Sequence, residues 1–330
     1  MKIALDAMGG DFAPVVTVAG AIEAVQEYDL EVVLVGNKDR LEAELKGKKY
    51  PAAKISLHHA SEVVEMHESP SLALRRKKDS SIRKAIEMVK NGDADAVVSA
   101  GHSGIAMAAS LVILGKLPNV ERPAIATLMP SLKGFFILLD VGATVDCKAE
   151  NLVQFAHMGN AYTKAIFGQE SPRIALLSIG EEDSKGNEVT KEALKLLKSS
   201  SLNFTGNIEG REIFEGNAEV VVCDGFTGNI VLKVSEGLAE AIMKTLRKEI
   251  NDAPAGKLGY LLIKPALKKF KKRTDYSEYG GAPLLGINGT CIISHGRSSS
   301  RAIKHAIKVA GDMASHRVHQ KIAESLGTDS

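Results

Sequence analysis

The chain has 330 residues, 45% hydrophobic and 25% charged, with a formal net charge of +2 and a pI of about 8.3. That length carries one large core or two ordinary ones, the near-neutral balance excludes a general nucleic-acid-binding surface, and no run approaches the ~18 apolar residues of a membrane span. Cys147, Cys223 and Cys291 are an odd, widely spaced set with no secretory leader pattern ahead of the first strand, so a reducing cytoplasm is expected, with peripheral membrane attachment left open.

In chain order, hydrophobic periodicity predicts strand 2–6, helix 14–28, strand 31–35, helix 38–46, strand 54–58, helices 71–77 and 79–90, strand 95–99 and helix 103–115. Such alternation implies a parallel sheet with helices on both faces. Strands 123–128 and 134–139 follow without a helix between them and read as an antiparallel pair near a sheet edge. Helix 149–166, strand 173–178, helix 187–200 and strands 203–206 and 218–223 restore the alternation. Two amphipathic helices, 230–250 and 257–273, then run back to back, and short strands 282–287 and 290–294 lead to a final helix, 298–323. With no repeat or low-complexity linker, the chain 1–330 reads as one three-layer α/β/α domain with a projecting helical hairpin, 230–275.

Three strand ends share one grammar. Val220 to Val222 run into Cys223-Asp224-Gly225-Phe226-Thr227-Gly228-Asn229, where the glycines permit close ligand approach and Thr227 and Asn229 are good N-cap residues. The first strand ends in Asp6-Ala7-Met8-Gly9-Gly10-Asp11, and the strand at 95–99 ends in Ser99-Ala100-Gly101-His102-Ser103-Gly104. Helix N-termini offer amide hydrogens to anions, and ligands of parallel sheets bind at the carboxyl ends of strands. The three junctions are therefore expected to gather around one anion. Lys185, after the strand at 173–178, adds a point charge suited to phosphate. Asp140, at another strand end, is placed either to hold loop amides or to touch substrate.

No P-loop, dinucleotide fingerprint, H-E-x-x-H, paired C-x-x-C or G-x-S-x-G occurs, so no metal or cofactor is expected. The scattered histidines, His58-His59 included, read as structural.

Taken in order, Asp6 to Asp11 with Ala13-Pro14, Ser99-Ala100-Gly101, Leu139 to Ala143, Ser184 to Asn187, Gly206 to Gly210, Cys223 to Asn229 and Tyr279 to Gly286 resemble the bacterial phosphate acyltransferases of phospholipid synthesis, the PlsX family. The resemblance covers nearly the whole chain. It implies a fold like the isocitrate and isopropylmalate dehydrogenases and the phosphate acetyltransferases, and a homodimer. The implied reaction converts acyl-[acyl-carrier-protein] and inorganic phosphate into acyl phosphate and free carrier protein, with the product passing to a membrane glycerol-3-phosphate acyltransferase. Two departures are His102-Ser103 where the family shows Asn-Thr, and Thr144 where it shows Asn; both keep hydrogen-bonding side chains.

On this reading the catalytic set is Lys185, Asn229, His102, Ser103 and Asp224, and phosphate is bound by Asp6, Gly9, Gly10, Gly101, Gly104, Asn187, Gly225, Thr227, Gly228 and Lys233. The chemistry asks for little more than positioned donors and cations. Phosphate is already nucleophilic near neutral pH and a thiol of pKa about 8.5 leaves readily, so binding, orientation and oxyanion stabilisation are the work that remains. Cys223 is the rival nucleophile, but a thiol in a buried valine-rich strand is expected to be inert. Asp6 and Asp224 are expected to order loops, with a role through water or metal left open.

In the hairpin, Leu258, Tyr260, Leu261, Leu262 and Ile263 form an apolar tip suited to a membrane surface. Lys264, Lys268, Lys269, Lys271, Lys272 and Arg273 follow without an acid among them, a face suited to an acidic acyl carrier protein or an anionic membrane. The competing readings are a short-chain acyl-CoA phosphotransacylase, a dehydrogenase of the same fold, and a non-enzymatic carrier-protein or lipid-binding scaffold.

Overall fold

The computed structural model describes residues 1–65, 67–253, 259–260, 262–267, 270 and 280–327. Among the described residues eleven strands form one sheet: β1 (Lys2–Asp6), β2 (Glu31–Gly36), β3 (Ile55–His59), β4 (Ala96–Ser99), β5 (Ala124–Ser131), β6 (Gly134–Leu139), β7 (Ile174–Ser178), β8 (Phe204–Glu209), β9 (Val220–Val222), β10 (Ala282–Leu285) and β11 (Cys291–Ile293). The helices are α1 (Val15–Glu27), α2 (Lys38–Leu45), α3 (Pro70–Arg76), α4 (Ser81–Asn91), α5 (Ser103–Ile113), α6 (Ala149–Phe167), α7 (Glu188–Lys198), α8 (Gly225–Asp252), α9 (Ser300–Ser315) and α10 (Val318–Gly327).

Alternation along each strand divides the core between two faces. Ile3, Leu5, Val32, Leu34, Val98 and Ile292 pack with α1, α6, α7, α9 and α10, while Ala4, Val33, Val35, Val97 and Cys291 pack with α4 and α5. Each fully buried Leu, Ile or Val contributes about 1.5–3 kcal/mol relative to exposure. The expected three layers follow from this two-sided burial.

The strand order is β3-β2-β1-β4-β11-β10-β5-β6-β9-β7-β8. The strands β3, β2, β1, β4 and β11 are mutually parallel, β10 is antiparallel to both its neighbours, and β6 is antiparallel to β5. Beyond β6, strands β9, β7 and β8 are again parallel to one another. The carboxyl ends of β1, β4 and β11 therefore leave one edge of the sheet, and those of β6, β9 and β7 leave the other.

Three expectations are corrected here. The β5–β6 hairpin is antiparallel as expected but lies in the middle of the sheet, because β10, from far along the chain, pairs with β5. The helix expected at 230 begins at Gly225, and its N-cap is Asp224 in place of Thr227 or Asn229: Asp224 Oδ1 accepts from Thr227 N at 2.8 Å and Oδ2 accepts from Thr227 Oγ1 at 2.7 Å. A carboxylate one step before the first turn can reach these donors. The final helix divides at His316 and Arg317, where Arg317 takes φ 51°.

Along the 28 residues of α8 only Gly225 and Gly228 are buried. Its exposed face carries Phe226, Ile230, Val234, Leu238 and Ile242, one apolar residue every four positions. Of the return helix, residues 259–260, 262–267 and 270 are helical, with Tyr260, Leu262 and Ile263 exposed along with Lys264. Leu258, Leu261, Lys268, Lys269, Lys271, Lys272 and Arg273 lie outside the described residues. No described helix is long and apolar enough to cross a membrane.

Candidate active site

The first group sits where β1, β4 and β11 end. A Cβ added at Gly9 would lie 2.8 Å from Gly101 N and 2.5 Å from Asp6 Oδ2, so the two glycine junctions touch. Gly10, at φ +107°, passes the Gly296 carbonyl, to which Asp11 N donates at 2.8 Å. Helices α1, α5 and α9 all begin here, which aims three N-termini at one place. His102 caps α5: its Nδ1 accepts from Gly104 N at 3.1 Å, which assigns the ring proton to Nε2. Ser103 is exposed beside it.

At the floor lies Asp6. Ser99 Oγ donates to Asp6 Oδ2 at 2.7 Å and accepts from Gly101 N at 3.1 Å. Burial raises the Asp6 carboxyl above its ordinary pKa, opposed by Ser81, Ser99 and the Met8 and Gly9 amides. Its Oδ1, like Ser294 Oγ, is buried without a hydrogen bond of acceptable geometry. A cavity of about 10 Å³, the space of a single oxygen atom, opens onto Asp6, Gly9, Ser81, Ser99, Gly101 and His102.

Sequence reasoning missed the turn that closes this group. Ser294 N donates to Ser99 O at 2.8 Å, and Arg297, with its side chain 77% exposed, holds Nε 3.8 Å from Asp11 Oδ2. The signal was present, since Cys291 to Ile293 followed by Ser294-His295-Gly296-Arg297-Ser298 is again a strand, a glycine and hydroxyls ahead of a helix.

The second group sits at the other edge, where neighbouring strands β6, β9 and β7 end. Asp140 Oδ1 accepts from the amides of Ile125, Gly142 and Ala143 at 2.8, 3.2 and 3.0 Å, and Oδ2 from Thr144 N at 2.6 Å. Asp140 thus holds loop amides, and burial raises its carboxyl to about 6. Gly225 N donates to Thr144 O at 2.8 Å, and a Cβ at Gly228 would lie 1.9 Å from Asp140 O, so α8 enters on this loop with no room for any side chain.

Asn229 is exposed near Gly142, and Lys185 is exposed with its stem along Gly180. Asn187 caps α7 by accepting from Thr190 N at 2.9 Å, and Lys233 is paired with Glu236 at 2.9 Å. Ser178 Oγ and Asn207 Oδ1 are buried here without partners. Burial pushes the Cys223 thiol well above its ordinary pKa and the Cys147 thiol up to about 12. Among the described residues no three His, Cys, Asp or Glu side chains are placed to hold a metal ion.

The expected single gathering is therefore two. Gly9, Gly10, Gly101 and His102 come together, whereas Asp224, Gly225 and Asn229 gather on the loop at 140–144, with Lys185 following the neighbouring strand β7 on the same edge. From β4 to β6 is four strand spacings, about 19 Å, too far for one phosphate to touch both groups of one chain.

Residues 1–321 match the profile of the family described as "Fatty acid synthesis protein". The chain belongs to that family. It is 65% identical over 326 residues to a phosphate acyltransferase of Thermodesulfovibrio yellowstonii, covering 99% of this chain and 94% of the relative. It is 53% identical over 329 residues to a phosphate acyltransferase of Geobacter sulfurreducens, covering 100% and 95%. Among solved structures, a phosphotransacetylase of Streptococcus pyogenes aligns with TM-score 0.65 and 21% identity over 95% of this chain and 94% of that one. A 4-hydroxythreonine-4-phosphate dehydrogenase of Klebsiella pneumoniae aligns with TM-score 0.57 and 14% identity over 95% and 99%. Those two likenesses show the fold, and the sequence relatives show the chemistry: the chain is an acyltransferase that uses phosphate.

Proposed function

We propose that the protein transfers a fatty acyl group reversibly from the thioester of acyl-[acyl-carrier-protein] to inorganic phosphate, supplying acyl phosphate for phosphatidic acid synthesis. The observation that carries this reading is the first group: the starts of α1, α5 and α9, touching glycine turns and the exposed Arg297 lie at the same edge of the sheet. Phosphate held there attacks the thioester carbonyl, the carrier thiolate leaves, and positioned donors stabilise the oxyanion. The thiols lie outside this scheme, consistent with their raised pKa.

Lys185 and Asn229 stand on the other edge, exposed and without a phosphate cradle of their own. We assign them to the cradle of a second copy. The apolar stripe of α8 begins beside Asn229 and is unburied in one chain, which favours a homodimer whose two-fold pairs the second group of each protomer with the first group of the other. Lys264 and its basic neighbours would steer the acidic carrier protein, and Tyr260, Leu262 and Ile263 would rest on an anionic membrane. The deciding assay mixes palmitoyl-[acyl-carrier-protein] with phosphate and measures released thiol together with hydroxylamine-trappable acyl phosphate. Turnover with acetyl-CoA alone would favour the short-chain phosphotransacylase, and no phosphate-dependent turnover would end both readings.

A further inference from the structure

Ser99 is the last residue of β4, in register with Asp6 of β1 on one side and Ile293 of β11 on the other, and it is 1% exposed. Three junctions are tied through it. Its carbonyl accepts from Ser294 N at 2.8 Å, its hydroxyl donates to Asp6 Oδ2 at 2.7 Å, and the same oxygen accepts from Gly101 N at 3.1 Å. A serine hydroxyl has one proton and two lone pairs, so directing the proton to Asp6 leaves a lone pair for the Gly101 amide. Bonds in such a run strengthen one another.

This arrangement decides which donors at the start of α5 are left for an anion. The Gly101 amide is taken by Ser99 and lies against Gly9, where an added Cβ would come within 2.8 Å of it. Farther along, Gly104 N donates to His102 Nδ1 at 3.1 Å and Ile105 N to His102 O at 2.9 Å. Ser103, the first residue of the helix, is exposed, and among the described residues its amide and hydroxyl have no protein acceptor. An amide at the first helical position is one of the donors a helix leaves unsatisfied, and with a hydroxyl on the same residue it suits a phosphate oxygen.

We propose that Ser99 is a positioning residue for phosphate: by bonding Asp6 and Gly101 at once, its hydroxyl fixes the β4–α5 turn so that Ser103, in place of the Gly101 amide, meets the anion. In the reading above, on which this rests, the first group holds phosphate. Gly101 then serves close packing, and Ser99 acts on the anion only through the turn it holds.

The test is steady-state kinetics with phosphate varied at saturating palmitoyl-[acyl-carrier-protein]. Ser99→Ala should raise the phosphate KM about ten-fold, the usual weight of a hydrogen bond to a charged group, with kcat within about three-fold. Ser99→Thr keeps a hydroxyl on the same carbon and should stay within about three-fold of the wild-type KM, a rescue that a need for small buried volume would not give. Ser103→Ala should raise the KM by about as much as Ser99→Ala, and the double variant should add less than about two-fold to either, because the two residues act in series. Circular dichroism shows that each variant folds, and Ser99→Cys, close in size and a weaker donor, supplies the same readout if Ser99→Ala does not. A phosphate KM within about two-fold of wild type for Ser99→Ala, increases that multiply in the double variant, or a Ser99→Thr no better than Ser99→Ala overturns the inference. Arg297→Ala separates the two levels: if it lowers kcat/KM for phosphate while Ser99→Ala does not, the inference alone fails, and if neither does, the first group is not the phosphate site.

Discussion

At the ends of β1, β4 and β11 the buried carboxylate, Asp6, keeps one oxygen without a bond, whereas at the ends of β6, β9 and β7 the buried carboxylate, Asp140, is held by four backbone amides. A fully bonded carboxylate is a brace. It shapes the loop that α8 enters, on the edge where Lys185 and Asn229 are exposed. The first group is finished differently, with touching glycine turns over the buried Asp6 and Arg297 beside Asp11 at its rim. One edge packs glycine turns over a buried acid, and the other exposes Lys185 and Asn229.

The sharpest attempt to break this division is Arg297→Ala. If the first group holds phosphate, losing its cation should cost about 10²–10³ in phosphate-dependent rate. Arg297→Lys should recover part of it, and a melting temperature near wild type would exclude unfolding. A rate within two-fold of wild type would remove the first group as the phosphate site.

The next attempt asks whether the two groups meet in trans. Lys185→Ala and Arg297→Ala should each be nearly inactive alone, but random mixed dimers contain one intact site per heterodimer and should recover about a quarter of wild-type activity. No recovery on co-expression, with dimers demonstrated by native mass spectrometry, would show that the groups do not share a site across the interface.

Asp140→Asn probes the brace itself. An amide cannot accept from all four donors, since its nitrogen meets an N–H head on, and a buried N–H left unsatisfied costs about 1–3 kcal/mol. Urea titration at pH 7 should show a loss of about that size. The pH dependence has a defined sign. Burial raises the native carboxyl to about 6 from an ordinary 3.8, so the native state binds the proton more tightly than the unfolded chain. The stability that Asp140 contributes is full below pH 3.8 and is lost as the pH rises through about 6. Wild type should lose stability across that window, and Asp140→Asn should lack this component.

The sequence made the strand ends legible and left their grouping illegible for a specific reason. Val220 to Val222 before Asp224-Gly225, and Ile3 to Leu5 before Asp6, announce buried strands that end at ligand-sized turns, because β-branching and glycine act locally. Which edge each turn faces depends on how many antiparallel steps separate the strands: β10, from some 150 residues along the chain, is antiparallel to both β11 and β5 and so leaves β5 parallel to β1 and β4, and the β5–β6 hairpin then reverses β6, β9, β7 and β8. No local pattern carries that information. The α8 cap was misplaced on a smaller scale: Thr227 and Asn229 have the right chemistry for a cap, but Asp224 reaches the amide first and turns Thr227 into its donor. Arg297 went unread because Ser298-Ser299-Ser300 looks like ordinary capping for the last helix, and Ser299 does cap it, accepting from Ala302 N at 3.3 Å.

The smallest expected effect belongs to Cys223, which lies in the second group and is the residue a chemist would test first. Its Sγ donates to Asp140 O at 3.5 Å and sits where Gly228 leaves it no room to turn outward. Burial comes first among the causes that hold its pKa well above that of a free thiol, followed by the carboxylates of Asp224 and Asp140. A thiolate there would have to form against desolvation and two negative charges, so it is a poor nucleophile at any pH the fold tolerates. Cys223→Ala should therefore keep acyl phosphate formation within about two-fold and lower stability by about 1 kcal/mol, the usual size for a small buried truncation. If the variant stays folded yet forms no acyl phosphate, the reaction passes through an acyl-cysteine, and the second group becomes the seat of the chemistry in place of the cradle's partner.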